Sequence, residues 1–346
     1  MGSSRGAAQV VGPVGRATPV RPGGGRAASW LTLRQVQIAV GVLWLVDTAA
    51  QLQPYFFTTG YADDLSALQA GQPPVVARTL RLVHGPLAAN IVLANSLIVV
   101  VQVVIGVGLL VPRTVRAAVV LSAVWAAPVW WVGEGFGGLL TGSSSRLTEA
   151  PGPVLLYVLI GLLAWPRPTG DGGVPARRAS AAAGGLLGER GARAGWAVLW
   201  LGSAALSLQP NVTRPGEFSL RLATAGLDPS SGAAYEPGWL EHLDHVFGRL
   251  VAGHSVGLAL GFAAAQALIA LAVFVPRLRT LALFVGAGLS LAIWVIAQNF
   301  GGMLTGQESD VGTEPLMILL ALTLIKPPAG TCRRRHARTH TGTAHR

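Results

Sequence analysis

The 346-residue chain has one cysteine, Cys332, one lysine, Lys326, and only 12% charged residues. A lone thiol excludes an intramolecular disulfide and a dithiol relay. The charged fraction is about half of the roughly 25% usual in a soluble domain. Several chemical signatures are missing too. There is no phosphate-cradling glycine loop ending in Gly-Lys-Ser/Thr, no His-Glu-x-x-His, no Cys-x-x-Cys-His haem attachment and no Gly-x-Ser-x-Gly elbow. These absences argue against an ATP-driven pump, a zinc protease, a c-type haem protein and a standard serine hydrolase.

What is present is apolar and repeated. Hydrophobic residues make up 51% of the chain, and the mean hydropathy is +0.52. The apolar residues run in long stretches between polar loops, the pattern of a multi-pass helical membrane protein. Val42-Leu43-Trp44-Leu45, which leads to Gln53-Pro54, returns 156 residues later as Val198-Leu199-Trp200-Leu201 leading to Gln209-Pro210. At an offset of 164, Val111-Pro112-Arg113 returns as Val275-Pro276-Arg277. Trp130 and Phe136-Gly137-Gly138-Leu139-Leu140-Thr141-Gly142 return at the same offset as Trp294 and Phe300-Gly301-Gly302-Met303-Leu304-Thr305-Gly306. Such self-similarity reads as a tandem duplication.

A spanning helix needs about 20 mainly apolar residues. Eight stretches are candidates: 34–53, 88–111, 116–135, 150–166, 194–209, 252–275, 280–298 and 313–327. The short fourth stretch of each copy is expected to extend back into the Gly-Gly-Leu/Met-Leu segment. The predicted organisation is a basic tail (1–33), a first four-helix unit (34–166), a linker (167–193), a second unit (194–327) and a basic tail (328–346). The fold class is all-α transmembrane, two four-helix bundles of the same orientation, because each unit holds an even number of spans. The first 30 residues lack the apolar core of a cleavable signal peptide.

Charge sets the expected topology. With the N-terminus in the cytoplasm, 20 of the 26 Lys and Arg fall on the cytoplasmic side. The positive-inside rule then puts both termini there, in a bacterial inner membrane. The net charge of +11 lies beside membrane ends, where it meets anionic lipid headgroups. Nucleic-acid binding is not expected.

Asp47 is the sharpest candidate, because a carboxylate within an apolar span is costly unless paired, neutral or wet. It reads either as a proton or cation site or as a hydrogen-bonded carboxyl near the outer helix end. Gln51 lies one turn on, on the same face. The second copy has Ser203 and Ser207 at these positions. Glu134 is the next candidate; its counterpart is Gln298, followed by Asn299. The ionisable group thus belongs to the first copy in both cases, which reads as one active and one structural half, or as drift.

Thr141 and Thr305 are expected to satisfy backbone groups where the helix breaks. The Gly-Gly segments beside them read either as a packed helix junction or as a re-entrant stretch flanking a pocket. Gln102 and Gln266 correspond mid-span and read as interhelical hydrogen-bonding groups. His254, matched to Asn90, is a candidate ligand or proton carrier. His242 and His245, on a predicted interfacial helix around 239–247, read as a solvated polar face, with a surface metal site as the alternative. Cys332 with His336, His340 and His345 reads as part of a disordered basic tail rather than a zinc site. Trp44, Trp130, Trp131, Trp165, Trp200 and Trp294 fit interfacial belts.

The four-span unit, its long outer loop after the first span, the tight Val-Pro-Arg turn, the run from Trp44-Leu45 to Pro54 and Gly137-Gly138-Leu139-Leu140-Thr141 resemble the DoxX-like bacterial membrane proteins. The resemblance covers about 36–166 and 194–327. It implies a four-helix bundle unit and, for some members, thiosulfate:quinone oxidoreduction. A quinone cofactor and a redox partner protein are therefore expectations of the resemblance; it identifies no catalytic residue here. Beside that redox reading stand a small-solute or proton-coupled transporter using Asp47, and a non-catalytic membrane scaffold. The arginine-for-lysine bias and the abundance of Ala and Gly fit a high-GC bacterial genome.

Overall fold

The computed structural model describes residues 30–166, 185–223 and 237–326. Its described residues contain helices and turns and no strand. The helices are α1 (Leu33–Gln51), α2 (Thr59–Ala67), α3 (Pro74–Ala89), α4 (Ile91–Leu110), α5 (Val115–Pro128), α6 (Pro153–Leu163), α7 (Gly188–Ser207), α8 (Glu217–Ala223), α9 (Gly238–Val251), α10 (Ser255–Ala272), α11 (Arg279–Ile296) and α12 (Thr313–Leu324). Eight of them, α1, α4, α5, α6, α7, α10, α11 and α12, fall on the eight apolar stretches. The other four lie in the loops after α1 and α7.

Among the described residues, three helical stretches are long and apolar enough to cross a membrane: Ile91–Leu110, Val115–Gly133 and Arg279–Ile296. A fourth counts if α9 and α10, bent by 101° at their junction, act as one broken span. Their outward faces are greasy. Leu93, Leu97, Val100 and Val104 of α4 are exposed, as are Leu281, Phe284 and Leu291 of α11. Apolar rows of this extent are rare on soluble monomers.

The expected extension of the fourth helices into the Gly-Gly segments does not occur. The two helices have 11 and 12 residues, about 17 Å at 1.5 Å per residue. Both begin after a left-handed glycine, Gly152 with φ 103° and Gly312 with φ 78°.

The helix ends near Arg34, Ala164 and Lys326 are laced by polar side chains that satisfy helix carbonyls. Arg34 Nη1 donates to Leu109 O at 3.0 Å, and Gln37 Nε2 donates to Ala164 O at 2.9 Å. Thr32 and Gln35 form a capping box at the start of α1. Glu189 is paired with Lys326 at 2.9 Å and with Arg279 at 3.5 Å. Burial tends to raise its pKa, but Lys326, Arg193 and Arg279 outweigh that and hold it below the ordinary value.

One core runs through both units. It includes Trp44, Ile105, Tyr157 and Ile160 from the first, and Trp196, Trp200, Leu283 and Leu320 from the second. Trp44 and Trp200 are buried here, so the belt expectation does not hold for them. Helix α1 packs on α4, and α7 on α10; α6 and α12 meet each other and join the units. Gly41 and Gly106 let α1 and α4 approach closely: a Cβ on Gly41 would stand 2.9 Å from Gly106 O. Small residues at such crossings are the usual means of helix association in lipid.

Candidate functional site

The repeated Trp-x5-Phe-Gly-Gly segment builds the same local structure twice. After the third long helix of each unit, Phe136 and Phe300 adopt left-handed φ of 59° and 61°. Each is held by the repeated tryptophan, edge to face, at 5.1 Å for Trp130–Phe136 and 5.2 Å for Trp294–Phe300. A strained backbone of this kind persists where its surroundings over-determine it. Each tryptophan also donates to a backbone carbonyl on the returning chain, Trp130 Nε1 to Pro151 O at 2.8 Å and Trp294 Nε1 to Val311 O at 3.0 Å. That carbonyl presses on the first repeated glycine. A Cβ would lie 2.1 Å from Pro151 O at Gly137 and 2.8 Å from Val311 O at Gly301. Thr141 and Thr305 cap the turn as expected, donating to Gly138 O at 2.8 Å and Gly302 O at 2.7 Å.

The loops that leave these turns reach across to the other unit. From the first loop, Arg146 enters the second unit. Its Nε and Nη2 donate to the two oxygens of Glu314, both at 2.7 Å, and Nη2 donates to Ser290 at 3.1 Å. Its guanidinium lies 4.0 Å over the Trp200 ring. Gln298 Nε2 donates to Arg146 O at 3.0 Å. Glu314 is 0% exposed, so this is a fully buried bidentate pair with cation–π support. From the second loop, Val311 enters the first unit and donates its N–H to Asp47 Oδ1 at 3.0 Å. Asp47 is 2% exposed, and its Oδ2 accepts from the Tyr157 hydroxyl at 2.5 Å. Tyr157 in turn covers the Trp44 ring, with centroids 4.5 Å apart.

Around these contacts stands a group of carboxyls. Burial, followed by Asp310, Glu308, Glu134 and Glu314, holds Glu149 well above the ordinary carboxyl range. Burial also raises Asp310, despite the hydrogen bonds from Gly312 and Ser309. Among the described residues, the ion pairs include none to Asp47, Glu134, Glu149 or Asp310. Raising a carboxyl in this way favours its protonated form over its charged one.

The sequence candidates separate on this map. Glu134 and Gln298 occupy matched places: each lies against the glycine before the fourth helix, Gly152 or Gly312. Glu134 Oε1 accepts from Val154 N–H at 3.0 Å, while Oε2 is buried without a partner. Gln51 is buried beside Asp47 but serves a separate network, donating to Asn95 at 2.5 Å. Asn299 donates to Asp244 of α9 at 2.8 Å.

Gln266 is 0% exposed and neither amide atom has a hydrogen bond; Gln102 Oε1 is also without one. The interhelical bonds expected of Gln266 are therefore not made. His254 is exposed at the start of α10, lining a shallow cavity of about 510 Å³ with Pro215, Gly216 and Leu258. His242 and His245 lie exposed on α9, with His245 3.8 Å from Glu241. No group of three or more His, Cys, Asp or Glu among the described residues has metal-binding geometry. Cys332, His336, His340 and His345 lie outside the described residues.

Sequence reading assigned no site role to Tyr157, Arg146, Glu149, Asp310 or Glu314. One signal was present. Counting on from the matched Thr141-Gly142 and Thr305-Gly306, Arg146 and Asp310 stand 164 apart, with opposite charges. No family model, no curated protein and no solved structure matches this chain.

Proposed function

We propose that the chain is a multi-pass bacterial inner-membrane protein whose carboxyl group, centred on Asp47, carries protons in proton-coupled transport of a small solute. In this reading the eight apolar helices are eight spans, arranged as two tandem four-helix units of one orientation. Both termini are cytoplasmic, and the arginine-rich ends meet anionic headgroups. The supporting observation is Asp47 itself. It is a buried carboxyl in a helix, bonded to the Tyr157 hydroxyl and to a backbone N–H from the opposite unit. A carboxyl that bridges two units is placed so that its protonation changes how the units hold each other. The DoxX-like resemblance and its quinone-linked chemistry rest on the sequence motifs alone.

The test is proton flux in liposomes reconstituted with the full chain, read by an enclosed pH dye. Asp47→Asn is expected to insert normally and to lower flux by at least about tenfold, the factor that 1.4 kcal/mol of barrier produces. Unchanged flux in a correctly folded Asp47→Asn protein would overturn the reading.

A further inference from the structure

The carboxyls between the units have oxygens to spare and few donors. A Cβ built on Gly312 would lie 2.5 Å from Glu149 Oε1 and 3.4 Å from Gln298 Oε1, so these two oxygens flank the same point. Gln298 is only 6% exposed, and its Oε1 is buried without a hydrogen-bond partner. The amide orientation is set by its other end, since Nε2 donates to Arg146 O. The acceptor therefore has to face the Glu149 side. The charged groups that act on Glu149 are Asp310, Glu308, Glu134 and Glu314, all of them acids. Of these, Glu314 is already neutralised by Arg146.

The molecule shows what satisfies such a place. In the second unit a guanidinium supplies N–H donors and one positive charge to a buried carboxylate. The position that carries this arginine in the first loop carries Asp310 in the second. The cation is thus built in on one side, and an acid stands at the corresponding step of the other.

We infer that Glu149 and Gln298, with Asp310, form a binding site for a small monovalent cation bearing N–H donors, of the ammonium or alkylammonium class. The N–H bonds fill the lone pairs of Gln298 Oε1 and the Glu149 carboxylate, and the charge offsets the surrounding acids. Where Glu149 is protonated, a cation entering here displaces that proton to solvent and pairs with the carboxylate left behind. This deepens the transport reading and rests on it for its purpose, while the site itself can be measured separately.

The experiment uses the full chain in detergent at mildly alkaline pH, titrated calorimetrically with methylammonium chloride. Sodium chloride and tetramethylammonium chloride at equal ionic strength are the comparisons. The expected result is saturable binding of methylammonium alone, with protons released into weak buffer. Glu149→Gln is expected to weaken it by about tenfold or more, the loss of one charge-assisted hydrogen bond. Gln298→Met, which removes the orphan oxygen, gives a second reading if Glu149→Gln fails to fold.

Equal responses to all three cations, or unchanged methylammonium affinity in either folded variant, would sink the inference. Asp47→Asn separates it from the transport reading. If that variant keeps flux and methylammonium still binds, the transport reading fails and the site stands. If flux is lost but no methylammonium binds to the wild type, the site fails alone.

Discussion

Trp44 and Trp200 open the same Trp-Leu motif 156 residues apart, and each is covered by a different group. Over Trp200 lies the guanidinium of Arg146, clamped on Glu314. Over Trp44 lies the ring of Tyr157, whose hydroxyl bonds Asp47. The second unit has closed its buried carboxyl with a permanent cation, since an arginine does not lose its proton in a protein. The first unit has closed its own with a neutral hydroxyl and a backbone N–H, and no ion pair among the described residues reaches it. One scaffold therefore holds one carboxyl in an ion pair and another among neutral donors, and the ion pair ties the two units together.

The sharpest way to break this comparison is to remove the arginine. Arg146→Met strands Glu314 in the core and is expected to cost about 3–5 kcal/mol, as for other broken buried pairs. Chemical denaturation in detergent would show it. The double variant Arg146→Met with Glu314→Leu is expected to recover most of that loss, because no charge is left uncompensated. If the double variant is as unstable as the single one, Arg146 acts through its packing on Trp200 instead.

Next in size is Gly301→Ala. Its φ of 66° and the crowding by Val311 O leave no room for a methyl. A loss of about 1–3 kcal/mol is expected, together with displacement of the Val311 bond to Asp47. Reduced proton flux alongside lowered thermal stability is the signature to look for. Tyr157→Phe should be milder, about 1–2 kcal/mol for one hydrogen bond to a carboxyl. It keeps the ring on Trp44, so flux should change more than stability. Equal flux in Tyr157→Phe and wild type would detach the hydroxyl from the proton path.

The smallest effect concerns pH. Burial tends to raise Glu189, outside the apolar spans, but Lys326, Arg193 and Arg279 outweigh it and hold the carboxyl below its ordinary value of 4.5. The unfolded state then binds more protons than the native state in that range. The contribution of Glu189 is present above the ordinary value and is lost as pH falls through the lowered one. The melting temperature should therefore fall slightly on acidification below about 4.5, and Glu189→Gln should lessen that fall. An equally steep fall in the variant would assign the dependence to another carboxyl.

Much of the scaffold was legible in the chain. Helices form at the eight apolar stretches because long runs of Leu, Val and Ala leave the backbone no partner but itself. The Phe-Gly-Gly turns were visible as punctuation, and Thr141 and Thr305 cap them as their position suggested. Asp47 and Glu134 were visible because charge is scarce among apolar residues. Arg146, Glu149 and Asp310 were not, because in sequence they look like ordinary loop residues on a solvated side. Arg146 is buried, and Glu149 and Asp310 partly so, because the loops cross into the other unit, which no local pattern encodes. The tryptophans misled for a similar reason: Trp44 and Trp200 fit an interfacial belt by composition, and packing placed them in the core.

By itself, then, the sequence determined an all-helical, apolar chain with one motif written twice and an acid in its first long helix. Periodicity, scarcity of charge and self-similarity are local quantities, and they survive without coordinates. Tertiary structure alone decided which charges meet. Arg146 and Glu314 are 168 residues apart, and Asp47 and Val311 are 264 apart. Contacts at such separations depend on how two units dock. That docking is set by the close approach of helices at small residues and by loops that exchange sides, so the pairing of charges follows from the packing and not the reverse.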